Sequence, residues 1–136
     1  MDIGKTMAIA AAGLRVQSER LRVIAENMAN SDSTASTPGE DPYRRKTVLF
    51  ATELDRATGA PLVRVAGETF DASEFQRRFD PGHPSADKDG YVLLPNVNPI
   101  IEMTDMRQAM RSFEANLAVI EVSKTMLQRT IDLLRA

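Results

Sequence analysis

Four carboxylates in or near a turn-rich stretch, Asp80, Asp87, Asp89 and Glu102, are the first candidates for chemistry, since paired carboxylates can move protons or bind calcium. Their context argues for neither. Asp87-Lys88-Asp89-Gly90 has the composition of a turn before a strand, and it lacks the regular oxygen ligands and closing glutamate of a calcium loop. The one histidine, His83, stands between Gly82 and Pro84 with Ser85 nearby. A hydrolytic triad would also need a base-orienting acid brought close in space, and a lone loop histidine is more often structural. Gly4-Lys5-Thr6 has the closing residues of a phosphate-binding loop without the upstream glycine or the preceding strand. With no cysteine, disulfides, thiolate zinc sites and cysteine nucleophiles drop out together, and one histidine cannot build a multi-histidine metal site. The expectation is a protein that is not an enzyme, with no cofactor and no small-molecule substrate.

The elements around these residues carry a stronger signal. The 136 residues make one domain at the usual ~100–200 residues each. Seventeen Lys and Arg against nineteen Asp and Glu leave a net charge of −2, mixed along the chain, so there is no basic face for nucleic acid. There is no Trp, and Met, Leu, Ile, Val and Ala supply most of the apolar mass, which suits helix seams. Asp2 in front of the first apolar stretch, and Arg15, Glu19 and Arg20 soon after it, argue against a cleaved signal. No run approaches the ~20 apolar residues of a membrane-spanning helix.

Near the amino terminus Ile3, Met7, Ala10, Leu14, Leu21, Ile24 and Met28 recur at steps of three and four, interrupted only by Gln17, which predicts one long amphipathic helix over residues 1–30. Residues 101–136 repeat the pattern. Met103, Met106, Met110, Phe113, Leu117, Ile120, Leu127, Ile131 and Leu134 form a seam with Lys124 as its polar exception. Ala115, Val119, Val122, Met126 and Leu133 form a second apolar stripe beside it. One partner helix cannot cover both, so neighbouring copies or other subunits are expected to bury the remainder.

Residues 31–100 read as a loop and a small β-containing middle. Ser, Thr, Asp and Pro38-Gly39 dominate residues 30–41, and strands are predicted near 47–50, 61–65 and 90–94. Phe70, Phe75 and Phe79 have helical spacing, stopped at Asp80-Pro81-Gly82. The fold class is mainly α with a small β region, the two long terminal helices paired as a coiled-coil-like hairpin. Asn27, Asn30 and Asn116 are candidate register or loop-anchoring residues, with capping for Asn30 and surface polarity for the other two as equal alternatives.

Ser18-Glu19-Arg20-Leu21, Asn27-Met28-Ala29-Asn30-Ser31 and Pro42-Tyr43-Arg44-Arg45-Lys46 resemble the amino-terminal signature of the bacterial flagellar axial proteins, and the longer intervening loop resembles the proximal-rod type. The carboxy-terminal half is similar to the same family through Gly90-Tyr91-Val92, Pro95-Asn96-Val97-Asn98, Glu102-Met103, Arg111-Ser112-Phe113-Glu114-Ala115-Asn116 and Lys124-Thr125-Met126. Phe113 stands where a Tyr is usual, and the stretch from Leu54 to Phe79 carries little signature.

The resemblance implies a torque-transmitting structural subunit of the periplasm-spanning rod, exported unfolded by the flagellum's own type III apparatus. It implies polymerisation with copies of itself and other rod proteins, and contact with export-gate or MS-ring adaptor components. On this reading the interface seam comprises Ile3, Met7, Leu14, Leu21, Ile24, Met28, Met106, Met110, Phe113, Leu117, Ile120, Leu127, Ile131 and Leu134. The competing reading is a soluble helical adaptor or export chaperone that binds partner helices transiently.

Overall fold

The Asp2 carboxylate accepts the backbone N–H of Lys5 at 3.2 Å and caps the first helix, so Gly4-Lys5-Thr6 forms an ordinary first turn. The computed structural model describes residues 2–136. Helix α1 spans Ile3–Ala29, helix α2 spans Pro99–Arg135, and four strands lie between them: β1 (Lys46–Leu54), β2 (Pro61–Phe70), β3 (Gln76–Phe79) and β4 (Tyr91–Leu94). Asn98 caps α2 by accepting the Ile100 N–H at 3.0 Å, and Pro99 occupies the position where a missing N–H costs nothing. Mainly helical with a small β middle, the chain has the fold class its periodicity predicts.

The two helices run antiparallel. Asn27 lies by Glu102, Arg20 by Gln108 and Asp105, and Gly13 by Asn116. At about 1.5 Å per residue α2 is roughly 15 Å longer than α1, and its carboxy-terminal residues overhang the start of α1. Every residue from 124 to 136 is exposed.

The face of α2 that meets α1 differs from the expected Met/Leu line by one residue. Glu102, Ala109 and Ser123 are buried and Asn116 is half-buried, all at intervals of seven, with half-buried Met106, Phe113 and Ile120 alongside. Met103, Met110 and Leu117, one position on, are exposed. At Gly13 the helices come close, since a Cβ there would stand 2.7 Å from Asn116 Nδ2, and the line that faces α1 carries small or polar residues in place of the large apolar ones. On α1, Ala10, Ala12, Val16, Val23 and Ile24 are buried while Ile3, Met7, Leu14, Leu21 and Met28 are half-buried. Gln17, the interruption in the predicted series, keeps its Oε1 buried without a partner among the described residues.

The β region is two separate antiparallel pairs, β1 with β2 and β3 with β4. The longer hairpin packs on α1, and a bulge after Leu49 leaves Ala66 without a cross-strand partner. Its turn is held by Asp55, whose carboxylate accepts the Thr58 N–H at 3.0 Å and the Thr58 hydroxyl at 2.6 Å. Residues 76–79 form a strand where the phenylalanine spacing suggested a helix. Phe79 instead crosses to Tyr91 edge-to-face, ring centres 5.3 Å apart. Gly90 precedes β4 at φ 82°, where a Cβ would press to 3.0 Å on the Phe79 ring.

Candidate subunit interface

Where α1, β1 and the start of α2 meet, a polar cluster fixes the frame on which the exposed helix edges are carried. Asn27 is 1 % exposed, and its carboxamide uses every hydrogen-bonding position. Its Nδ2 donates to the Lys46 carbonyl at 2.9 Å and to Glu102 Oε2 at 3.3 Å. Its Oδ1 accepts the Lys46 N–H at 3.0 Å and the Tyr43 hydroxyl at 2.8 Å. The side chain thus pairs with Lys46 as a neighbouring peptide would, and ties the first residue of β1 to α1.

Glu102 is fully buried, and its second oxygen accepts Nε of Arg45. The guanidinium reaches Asp71 and Asp105 as well, both at 3.5 Å, and these acids and Glu102 hold it above its ordinary value against the opposing pull of burial. Asn96 completes the frame by accepting the Arg45 N–H at 2.7 Å while donating to the Asp71 carbonyl at 3.0 Å. Glu102, raised among the candidate acids by sequence, is therefore a structural counter-ion.

Burial pushes the Tyr43 phenol up to about 12, with the charges of Glu26, Glu102 and Glu68 adding to it. Because the folded state holds the proton more tightly, the stability Tyr43 contributes is complete below its ordinary value near 10. It is lost as the pH rises from there toward 12. The wild-type chain is expected to lose more stability than Tyr43→Phe between pH 9 and pH 12. Urea midpoints across that range test it, and parallel losses would contradict it.

The other sequence candidates fall elsewhere. His83 Nδ1 lies 2.8 Å from the Ser85 hydroxyl and accepts the Ser85 N–H at 3.1 Å, and Nε2 lies 3.3 Å from the Thr34 hydroxyl. The ring joins two loops, with no carboxylate among these partners. Asp87 accepts the N–H groups of Asp89 and Tyr91, both at 2.9 Å, which hold it below the ordinary carboxylate range and close the turn before β4. Among the described residues no group of acids, histidines and cysteines could hold a metal ion. Asn30 donates to the Glu26 carbonyl at 2.9 Å as the C-cap of α1, and Asn116 donates to the Ser112 carbonyl at 2.9 Å while facing Gly13.

The seam residues divide into two sets. Ile24 is buried, and Ile3, Met7, Leu14, Leu21, Met28, Met106, Phe113 and Ile120 are half-buried within the chain. Met110, Leu117, Leu127, Ile131 and Leu134 are exposed, joined by Met103 on the same edge. Val119, Val122, Met126 and Leu133 expose a second edge of α2. Two apolar edges and an apolar overhang are thus left uncovered on one helix. Sequence reasoning missed the Asn27–Tyr43–Arg45–Glu102–Asn96 cluster as a unit. Its one local signal was a polar residue, Asn27, beside an apolar seam.

Residues 88–133 match the family described as "Flagellar basal body rod FlgEFG protein C-terminal". The chain is 53% identical over 128 residues to the flagellar basal-body rod protein FlgC of Agrobacterium fabrum, covering 94% of this chain and 92% of that one. It is 39% identical over 153 residues to the FlgC of Borreliella burgdorferi, covering 99% of each. To the FlgC of Salmonella typhimurium it is 39% identical over 127 residues, covering 92% of each.

Proposed function

The chain belongs to the FlgC family of flagellar basal-body rod proteins and is a structural subunit of the rod, and from that premise we propose that it polymerises through the exposed edges of α2. The whole chain acts as one axial subunit, its terminal helices toward the core of a helical tube and residues 31–100 outside them. In the periplasm-spanning rod it transmits torque beside copies of itself and other rod proteins. Contact with export-gate or MS-ring adaptor components, and passage through the type III export apparatus, belong to the same reading.

The observation that carries it is the apolar surface of α2 that the chain leaves uncovered, above all Leu127, Ile131 and Leu134 past the start of α1. Head-to-tail contacts that do not close extend into a helical lattice, which is the geometry a rod needs. Asn27 serves as the loop anchor, Asn30 as a cap, and Asn116 with Gly13 sets the helix register. Changing Leu127, Ile131 and Leu134 together to Ser is expected to leave the urea-unfolding stability of the purified chain nearly unchanged, within about 0.5 kcal/mol, because all three are exposed within it. The same variant is expected to abolish rods in basal-body preparations. A motile strain with complete rods would overturn the reading.

A further inference from the structure

A cleft of about 890 Å³ runs between α1 and the β1–β2 hairpin, on apolar residues that include Ala12, Val16, Leu62 and Val65. Three arginines (Arg15, Arg56, Arg64) and three carboxylates (Glu19, Glu53, Asp55) line it, but they are not all paired with one another. Glu53 is held by Arg64 at 2.8 Å, Glu19 by Arg22 at 3.0 Å, and the Asp55 carboxylate by Thr58 in the hairpin turn. Arg15 and Arg56, which also line the cleft, have no carboxylate within ion-pair reach among the described residues. Two arginines without an ion pair beside an apolar floor offer a place for an apolar ridge with acids at its flank.

Such a ridge exists on α2. Met110, Glu114, Leu117 and Glu121 follow one another at steps of four, three and four, which places them along one stripe of the helix. All four are exposed, and neither glutamate has an ion-pair partner among the described residues. The stripe lies away from the α1-facing line of Glu102, Ala109, Asn116 and Ser123, so a chain cannot offer its own stripe to its own cleft. We propose that the cleft between α1 and the β1–β2 hairpin receives the Met110–Leu117 stripe of a second copy, with Glu114 and Glu121 meeting Arg15 and Arg56. The inference rests on the rod-subunit reading and names the partner of one of its surfaces.

The test exploits the absence of cysteine from the chain. Copies carrying Val63→Cys, a residue of the cleft, are co-expressed with tagged copies carrying Leu117→Cys, and rods are oxidised before isolation. A disulfide joining the two copies is the expected result. Intact rods without it, or with Val63→Cys joined to a cysteine placed on a different rod protein, overturn the assignment of a second copy while leaving the rod-subunit reading standing. A charge exchange checks the ion pairs: Arg15→Glu with Arg56→Glu is expected to cut rod yield at least tenfold, and adding Glu114→Arg with Glu121→Arg to restore it. Unchanged yield in the first variant, or no recovery in the second, overturns the pairing.

Discussion

Exchanging Arg45 for methionine is expected to lower the stability of the chain by about 3–5 kcal/mol, a large share of the roughly 5–15 kcal/mol of a typical domain. The loss comes less from the missing attraction than from what remains. Glu102 is fully buried, and without Arg45 its carboxylate keeps one hydrogen bond, from Asn27 at 3.3 Å, and no counter-ion. Asp71 and Asp105, which also face the guanidinium, lose their shared cation at the same time. Pairing Arg45→Met with Glu102→Leu is expected to recover most of the loss, because removing both charges removes the desolvation cost as well. Urea unfolding of the two variants checks this. An Arg45→Met chain within 1 kcal/mol of wild type would show that the cluster does not hold the hairpin to the helices.

The second large effect separates folding from assembly by two changes of the same kind. Ile24→Asp puts a carboxylate at a position 4 % exposed, against Val23 and the start of β1, and is expected to cost more than about 4 kcal/mol and leave the chain largely unfolded. Leu117→Asp places the same charge at a position 41 % exposed within the chain. It is expected to keep the far-ultraviolet circular dichroism and thermal midpoint of wild type but to form no rods and support no motility. The two residues belong to apolar seams of the same periodicity, one on each helix, yet the fold buries one and leaves the other exposed. A motile Leu117→Asp strain, or a folded Ile24→Asp chain, would contradict that division.

The helix pair was legible because spacings of three and four over about thirty residues leave few other structures open. Which line of α2 faces α1 was not. The large apolar residues Met103, Met110 and Leu117 outweigh the small or polar line one position before them, and the decisive feature, Gly13 opposite Asn116, depends on a distance no local pattern encodes. Likewise β3 was hidden because all four of its residues are exposed, so the alternation that marks a half-buried strand is absent. The polar cluster joins residues 16 to 75 positions apart, and only Asn27 carried a local hint of it. The family resemblance, resting on short motifs around these residues, marked the right stretches without revealing that Tyr43, Arg45, Asn96 and Glu102 form one network.

The central claim is that the chain folds around α1 and the first two-thirds of α2 while the end of α2 waits for its neighbours. Hydrogen exchange resolved by segment, on the purified dilute chain and on isolated rods, tests it most directly. Residues 10–27 and 102–116 are expected to be protected in both, and residues 124–136 to exchange rapidly in the free chain and slowly in the rod. Strong protection of 124–136 in the dilute chain, or rapid exchange there in both states, would contradict the account.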